Sequence, residues 1–294
     1  MTTLDATAGE GLRAALGRLP VIGPAGRRLR ARWELAQPFP LPRYVAGTPR
    51  IGGTGPLDPF FPPTAPTLGE AAMSEEAVRF VSEVAGRLTQ GGTLAKQRFF
   101  FEWGQAKFGR NWRFANILTV LWAAATFVQP KAYLEIGVHR GRSAAIVGAL
   151  CPDCAIYGFD LWIPGYAGDD NPGPDFVRDE LRAAGHRGEL TLVSGDSGET
   201  LPAFLRDHPD LYFDVVTVDG GKTVVGAASD FANALPRLKV GGILVYDDLA
   251  VFPRLERVWH RVARRDDRYA TWEFPDARFG AAAAIRVGDR GRFT

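Results

Sequence analysis

The chain has 294 residues, 46% of them hydrophobic and 23% charged, a balance typical of a globular protein. Its formal net charge of +2 excludes a strong overall attraction to nucleic acid. The longest apolar stretch, at 117–128, has the length of a buried helix and is too short to cross a bilayer. The sequence opens without an export signal. We therefore expect a cytoplasmic protein with no stable membrane insertion.

The first third of the sequence is irregular. Residues 1–36 carry six arginines and a short amphipathic pattern, which favours a solvated arm over a membrane-binding one. Residues 37–68 are rich in proline and glycine and are expected to form an extended connector. A helix is predicted from about 73 to 89. We divide the chain into an arm and connector (1–70), a helical segment on the substrate side (71–112) and one large domain (113–294).

From residue 113 onward, strands and helices alternate, beginning with a helix predicted over 113–128. Strands are predicted at 131–137, 155–161, 189–196, 213–220, 241–248, 269–274 and 280–287, and helices at 143–150, 174–185, 199–208, 223–238 and 253–265. This alternation predicts an α/β fold with a doubly wound, mostly parallel, seven-stranded sheet. No helix separates the last two strands, so they are expected to form an antiparallel hairpin at one edge.

The segment YLEIGVHRGRS contains the end of the first strand and the loop GVHRG after it, at the edge of the sheet where doubly wound folds bind ligands. The dinucleotide fingerprint G-x-G-x-x-G, started at Gly137, would have its second and third glycines at positions 139 and 142, where His139 and Arg142 stand instead. Glu135 would repel phosphates and suit a cationic ligand. Asp160, at the end of the second strand, is placed to hold ribose hydroxyls. The loop therefore predicts a nucleotide ligand other than a dinucleotide.

The fourth strand ends in VTVDGGK and the fifth in LVYDD, so Asp219, Asp247 and Asp248 are expected to converge at one edge of the sheet. Carboxylates that directly follow an apolar strand are unfavourable unless their charge is compensated. A divalent cation with oxygen ligands would compensate it, with Mg²⁺ as the first choice and Mn²⁺ or Ca²⁺ as alternatives. The other reading is that these acids are solubilising strand ends.

Over residues 113–288 the sequence resembles the class I S-adenosylmethionine-dependent methyltransferases, in which such a hairpin also ends the sheet. The resemblance implies that Glu135, Gly137 and Gly141 surround the methionine part of the cofactor. It implies that Asp160 holds the ribose and that Asp196 lies by the adenine. The full set implied to contact the cofactor is Glu135, Gly137, Gly141, Ser143, Asp160, Asp196 and Asp219.

The ends of the fourth and fifth strands resemble those of cation-dependent O-methyltransferases. Asp219-Gly-Gly-Lys222 matches the catechol and caffeoyl-coenzyme A type, whereas the paired acids Asp247 and Asp248 also suit bacterial sugar and antibiotic O-methyltransferases. The resemblance implies a metal-binding enzyme with a small hydroxylated acceptor that is phenolic, a sugar or another secondary metabolite. It also allows a homodimer. Lys222 is interpreted either as the general base or as a structural partner of the aspartates.

Several alternatives stay open at this point. The chain could be a metal-independent N- or O-methyltransferase of the same fold, or a cofactor-binding scaffold without catalytic activity. His139 is a second candidate base or a loop residue. The aromatic side chains of Trp103, Trp162 and Tyr166 either line the acceptor pocket or pack against the sheet edge. The cysteines of CPDC (151–154) are interpreted as loop residues, because a zinc site would need two more ligands nearby.

Overall fold

The computed structural model describes residues 40–45, 47–51, 65–165, 170–250, 253–275 and 280–289. The chain divides into two compact units, 1–38 and 39–294. The arginine-rich arm lies outside the described residues. The boundaries predicted at 70 and 112 fall within the second unit and stay a prediction. Within the described ranges, no helix has both the length and the apolar character needed to span a membrane.

A single seven-stranded sheet organises the second unit, in the order β3-β2-β1-β4-β5-β7-β6. Its strands are β1 (Ala132–Ile136), β2 (Ala155–Asp160), β3 (Leu190–Ser194), β4 (Phe213–Val218), β5 (Leu238–Tyr246), β6 (Tyr269–Phe274) and β7 (Ala281–Arg286). The first five are parallel, whereas β7 runs antiparallel to both β5 and β6. The predicted doubly wound sheet with its antiparallel hairpin is confirmed.

Helices cover the sheet. They are α1 (Ala65–Ala72), α2 (Glu75–Arg87), α3 (Gly92–Phe108), α4 (Ile117–Val128), α5 (Arg142–Leu150), α6 (Pro174–Ala184), α7 (Ser197–Asp207), α8 (Val224–Ala234) and α9 (Pro253–Trp259). A π-helical turn, His260–Arg264, continues α9. Strands β1, β2, β4 and β5 are mostly buried, and the helix after each of the five parallel strands begins at the carboxyl edge of the sheet. Loops from successive strands therefore meet at one edge.

Helix α4 is buried along most of its length, as its apolar sequence predicts. It begins at residue 117 and not at 113, because Asn116 and Thr119 form a capping box that fixes its first turn. It ends at Gln129, whose backbone is left-handed with φ of 49°. Pro130 follows and cannot continue the helix.

Two helices differ from the sequence-based expectation. Helix α1 begins inside the stretch expected to be an extended connector. Helix α3 lies within the segment expected to be helical (71–112), but its bounds were not predicted, because its apolar residues do not concentrate on one face and so lack the usual helical period. Gly104 lets α3 approach the loop after it closely, since a Cβ at that position would overlap the Trp112 ring.

Part of the predicted connector contacts strands β5 and β6 of the sheet. We call this part the strap and define it as Tyr44 and residues 47–51. Arg50 forms a parallel bridge with Val240 at the start of β5. The Tyr44 hydroxyl lies 2.7 Å from that of Tyr269, and the Arg268 guanidinium lies 3.6 Å from the Tyr44 ring centroid. The strap is therefore an integral part of the second unit.

Candidate active site at the carboxyl ends of the strands

The loop after β1 is held between the two neighbouring strands. Gly137 N donates to the carbonyl oxygen of Phe159 at 2.9 Å, and Asp219 N donates to that of Ile136 at 2.8 Å. Gly137 has φ of 90°, and a Cβ there would lie 2.5 Å from the carbonyl oxygen of Asp219. Only glycine meets both conditions. The loop predicted to bind the cofactor therefore packs directly on Asp219, the first of the predicted metal ligands.

Glu135 is fully buried beneath this loop. The Ser143 hydroxyl donates to its Oε1, whereas its Oε2 has no partner in hydrogen-bond geometry among the described residues. Burial raises the pKa of Glu135 to about 8, and the negative charges of Asp219 and Asp160 act in the same direction. Among the described residues, the surroundings of Glu135 therefore disfavour its ionised form.

Asp160 is fixed by the main chain. Its Oδ2 accepts from His139 N at 2.7 Å and its Oδ1 accepts from Trp162 N at 2.6 Å. Both donors have left-handed backbones, with φ of 51° and 52°, which are uncommon for residues other than glycine. The carboxylate thus holds the loop after β1 and the loop after β2 in one fixed arrangement. The indole of Trp162 donates in turn to Ser194 Oγ at 2.8 Å.

Two further residues join these loops, and the sequence reasoning missed both of them. Asn171 is buried between the loops, and in the amide orientation that satisfies both neighbours it donates to the His139 carbonyl oxygen and accepts from Ile163 N, each at 3.3 Å. Arg140 is also buried, donates to the Asp170 carbonyl oxygen at 3.1 Å and stacks on the Phe176 ring. The sequence shows Arg140 between Gly137 and Gly141, but its partner Asp170 lies thirty residues away in sequence and could not be recognised there.

Lys222 connects two of the predicted metal ligands. Its Nζ lies 2.7 Å from Asp248 Oδ2, forms a short contact with Asp219 Oδ1 and donates to the Asp219 carbonyl oxygen at 2.8 Å. Burial acts to lower the pKa of Lys222, but the charges of Asp219 and Asp248 outweigh it and raise that pKa above the usual range. In this arrangement Lys222 donates hydrogen bonds to its acidic neighbours, and its role as base or as structural partner stays a prediction. We call Asp219, Lys222, Asp247 and Asp248 the acid centre.

Asp247 is the third acid of this centre. Burial raises its pKa well above the usual range, and the charges of Asp219 and Asp248 raise it further. Burial likewise raises the pKa of Asp219 to about 6. Two of the three carboxyl groups, those of Asp219 and Asp248, thus share one ammonium. Across the described residues, no three or more His, Cys, Asp or Glu side chains are already arranged to hold a metal ion.

The turn that carries Lys222 depends on two glycines and a buried aspartate. A Cβ on Gly220 would lie 2.8 Å from Asp230 Oδ2, and one on Gly221 would lie 2.5 Å from the main chain of Gly226. Asp230 accepts from Gly221 N at 2.9 Å and from the Ser197 hydroxyl at 2.6 Å. Asp230 was missed in the sequence, where the available signal was a single acid inside an otherwise apolar helix.

The remaining predicted residues lie in several places. Asp196 caps α7 by accepting from Gly198 N at 2.8 Å, and its role at the adenine stays a prediction, as does a catalytic role for His139. Trp103 lies half-exposed on α3, and Tyr166 falls outside the described residues. Cys151 and Cys154 are buried free thiols whose pKa values burial raises to about 11 and about 12. Such thiols stay protonated and unreactive near neutral pH.

One protein-family model matches the part of the chain that forms this edge of the sheet. Residues 134–249 match the family model described as a methyltransferase domain. Over this segment the chain is similar to methyltransferase domains. The matched residues run from within β1 to just past Asp248, so the matched segment includes both the loop predicted to bind the cofactor and the acid centre. The recognition of a class I S-adenosylmethionine-dependent methyltransferase from the sequence motifs is therefore confirmed.

Other similarities to the methyltransferase domain are more distant. An uncharacterized protein, y4gI of Sinorhizobium fredii (strain NBRC 101917 / NGR234), is 26% identical over 140 residues. The match covers 45% of this chain and 14% of that protein, so the chain spans a small part of that relative's length.

Two solved structures are similar in fold. One is a putative O-methyltransferase from Klebsiella pneumoniae, with 18% identity, coverage of 73% of this chain and 91% of the other, and a TM-score of 0.47. The other is the O-methyltransferase TomG from Streptomyces achromogenes, crystallised with S-adenosylmethionine, with 17% identity, coverage of 74% and 92%, and a TM-score of 0.47. Neither likeness identifies an acceptor for this chain.

Proposed function

We propose that the chain transfers a methyl group from S-adenosylmethionine to a hydroxyl group of a small molecule at the acid centre. One observation carries this proposal: Gly137 of the cofactor loop packs on the main chain of Asp219, whose side chain contacts Lys222. A cofactor bound by the loop would have its reactive end beside a lysine and three carboxyl groups. That combination suits activation of a hydroxyl group.

The residues around the loop fit the cofactor. Its sulfonium and ammonium groups are cationic, and Glu135 offers a buried carboxyl group beneath the loop. Asp160 keeps lone pairs for ribose hydroxyls while its position is fixed by two backbone amides. In the same proposal Gly141 and Ser143 begin the helix beside the methionine part, and Asp196 lies by the adenine.

The acid centre fits a divalent cation in donor type and in charge. Asp219 and Asp248 both reach the same atom, Lys222 Nζ, so their oxygens lie close enough to share one cation. With Asp247 the centre carries three carboxyl groups against one ammonium, and Mg²⁺ would balance the excess negative charge. Bound there, the ion would hold the acceptor oxygen and lower the pKa of its hydroxyl group. We propose Asp219, Asp247 and Asp248 as its ligands.

The reaction is a displacement at the methyl carbon. The acceptor oxygen forms the new C–O bond while the C–S bond breaks, and the sulfur keeps the electron pair as the neutral thioether S-adenosylhomocysteine. The hydroxyl proton leaves to a base. We propose Lys222 for this role, acting once its carboxylate partners are engaged elsewhere, with His139 as the other candidate base. The loops after β1 and β2, which Asp160 joins, would keep the cofactor aligned for the attack.

One observation favours a second candidate function, metal-independent methyl transfer. The Lys222 ammonium already lies between Asp219 and Asp248, where a cation would otherwise bind. In this alternative Lys222 stabilises the developing oxyanion by its own charge. The acceptor can then be a hydroxyl group or a nitrogen.

Chelation separates the two candidates. Purified protein is incubated with radiolabelled S-adenosylmethionine and a panel of catechols, flavonoids and hydroxylated sugars, with and without EDTA. Metal-dependent transfer stops with EDTA and returns when Mg²⁺ is added in excess. Methyl transfer that is unchanged in the presence of EDTA would support the metal-independent candidate instead.

Binding of S-adenosylhomocysteine, measured by calorimetry, tests the cofactor site independently of any acceptor. Binding without transfer to any acceptor of the panel would support a non-catalytic scaffold. The proposal extends to a cytoplasmic enzyme of secondary metabolism, without a nucleic-acid partner and able to form a homodimer. Sedimentation of the purified protein tests that assembly.

A further inference from the structure

Helix α3 presents aromatic side chains to solvent. Phe99 is 69% exposed, Trp103 is 44% exposed and Phe100 is 39% exposed. These residues are spaced by three or four positions, so they share one side of the helix. Lys96 and Lys107 lie on the same side, and the Lys107 ammonium lies 4.8 Å from the Trp103 ring centroid. We call these five residues the α3 face.

The opposite side of α3 is already used for packing. Leu94, Phe101 and Gly104 are buried there, in contact with the rest of the second unit. The helix is therefore apolar on two opposite sides, although one side is enough to attach a helix to a core. Phe100 also packs edge-on against Trp112 and Phe114, whereas the ring contacts of Trp103 among the described residues stay within α3. Phe99 and Trp103 are therefore the exposed aromatic side chains left for an interaction with a partner.

Charge indicates what binds to the α3 face. Between residues 92 and 113 the chain has five basic residues and one acidic residue, which gives a local net charge of +4. The basic residues are Lys96, Arg98, Lys107, Arg110 and Arg113, and the acid is Glu102. The chain as a whole carries only +2. Arg98 lies near Glu102 and Arg110 near Glu75 of α2, so Lys96 and Lys107 are the positive charges that lie beside the exposed aromatic side chains.

We propose that the α3 face binds peripherally to an anionic lipid surface. Tryptophan and phenylalanine enter the boundary between headgroups and acyl chains, while lysine and arginine contact lipid phosphates. The α3 face combines both features on one helix that is already attached to the protein. A second copy of the chain is the less favourable partner, because pairing the same face would bring two regions of charge +4 together.

The test is co-sedimentation of the full chain with vesicles. Phosphatidylcholine vesicles are compared with vesicles in which about one third of the lipid is phosphatidylglycerol. We expect binding to the anionic vesicles alone, and we expect added salt to weaken it because salt screens the attraction. Equal binding to both vesicle types, or binding to neither, would overturn the proposal.

Variants locate the binding surface. The double variant Phe99→Gln/Trp103→Gln should reduce partitioning onto anionic vesicles by about tenfold or more. The matched control is Phe127→Gln, which removes another exposed phenylalanine, 38% exposed, from the end of α4 and should bind as the wild type does. Undiminished binding by the double variant contradicts the proposal. Circular dichroism and thermal melting check that each variant is folded.

A charge variant provides an independent test. Lys96→Glu/Lys107→Glu keeps the aromatic side chains and should also release the protein from anionic vesicles. Analytical ultracentrifugation is run on all variants without lipid. A wild-type dimer that either double variant dissociates would identify the α3 face as an interface between copies and overturn the lipid assignment.

Discussion

The two halves of the carboxyl edge hold their acids in different ways. On the β1–β2 side, Asp160 binds two backbone amides, whose positions are fixed by the fold. On the β4–β5 side, Asp219 and Asp248 share the side chain of Lys222. Main-chain donors cannot leave, whereas a lysine side chain can rotate away. We infer that the cofactor half is preformed and that the acid centre can rearrange when an acceptor or a cation binds.

The largest expected effect follows from removing the lysine. Lys222→Met leaves Asp219 and Asp248 buried without their shared cation and should lower the free energy of unfolding by about 3–5 kcal/mol. Methyl transfer should fall by about a hundredfold or more, whether Lys222 acts as base or as charge. Urea denaturation and a radiolabel transfer assay measure the two effects.

Lys222→Arg is the matched variant that sharpens this result. Arginine keeps the positive charge but does not give up its proton near neutral pH. If Lys222 is the base, both variants lose activity while the arginine variant keeps most of its stability. Activity retained in Lys222→Arg would assign Lys222 an electrostatic role and remove the base assignment.

A smaller effect is expected on the β1–β2 side. Asp160→Ala removes the acceptor for the backbone amides of His139 and Trp162, both in left-handed conformations. Affinity for S-adenosylhomocysteine should fall by about tenfold to a hundredfold, as measured by calorimetry. Asp153→Ala, which breaks an exposed ion pair with Arg187, is the control and should bind normally. Unchanged affinity in Asp160→Ala would mean that the two loops are held without it.

The smallest effect concerns Glu135 and depends on pH. Its pKa is raised to about 8, so the native state favours the protonated form, and ionisation destabilises the fold progressively between about pH 4.5 and 8. Without cofactor, Glu135→Gln should therefore be more stable than the wild type at pH 8, by about 2 kcal/mol, and nearly equal near pH 4.5. Thermal melting across this range measures the difference.

The same variant should bind S-adenosylhomocysteine more weakly, because the amide lacks the negative charge offered to the ligand's ammonium group. Glu83→Gln replaces an exposed carboxylate on α2 and serves as the control, with a pH dependence like that of the wild type. A Glu135→Gln protein that is less stable than the wild type at pH 8 would contradict this account of the buried acid.

Local sequence was enough to predict most of the sheet. Strand and helix alternation, the missing helix before β7 and the glycines around residue 137 are properties of short segments. The bounds of helix α3 were not predicted because aromatic residues on its solvent side cancel the periodicity that marks an amphipathic helix. Helices and strands could therefore be predicted where one face of the element, or all of it, is buried.

Most residues of the site could be predicted from the sequence, but the contacts between them could not. Asp160 and Asp219 could be named from their positions after apolar strands. The bridging roles of Arg140, Asn171 and Asp230 could not, because each depends on a partner brought close only by the folded chain. The charge state of Lys222 likewise depends on Asp248, which lies 26 positions further along and meets it at 2.7 Å.

The strap has a practical consequence for anyone who shortens the protein. Thr48 accepts a hydrogen bond from the buried guanidinium of Arg286 at 3.2 Å, and the Ile51 amide donates to the Val240 carbonyl oxygen at 2.9 Å. Expression clones that begin after residue 51 would therefore lose groups that bind β5 and β7. A truncation that retains Tyr44 and everything after it keeps those groups and is the better starting point for crystallisation.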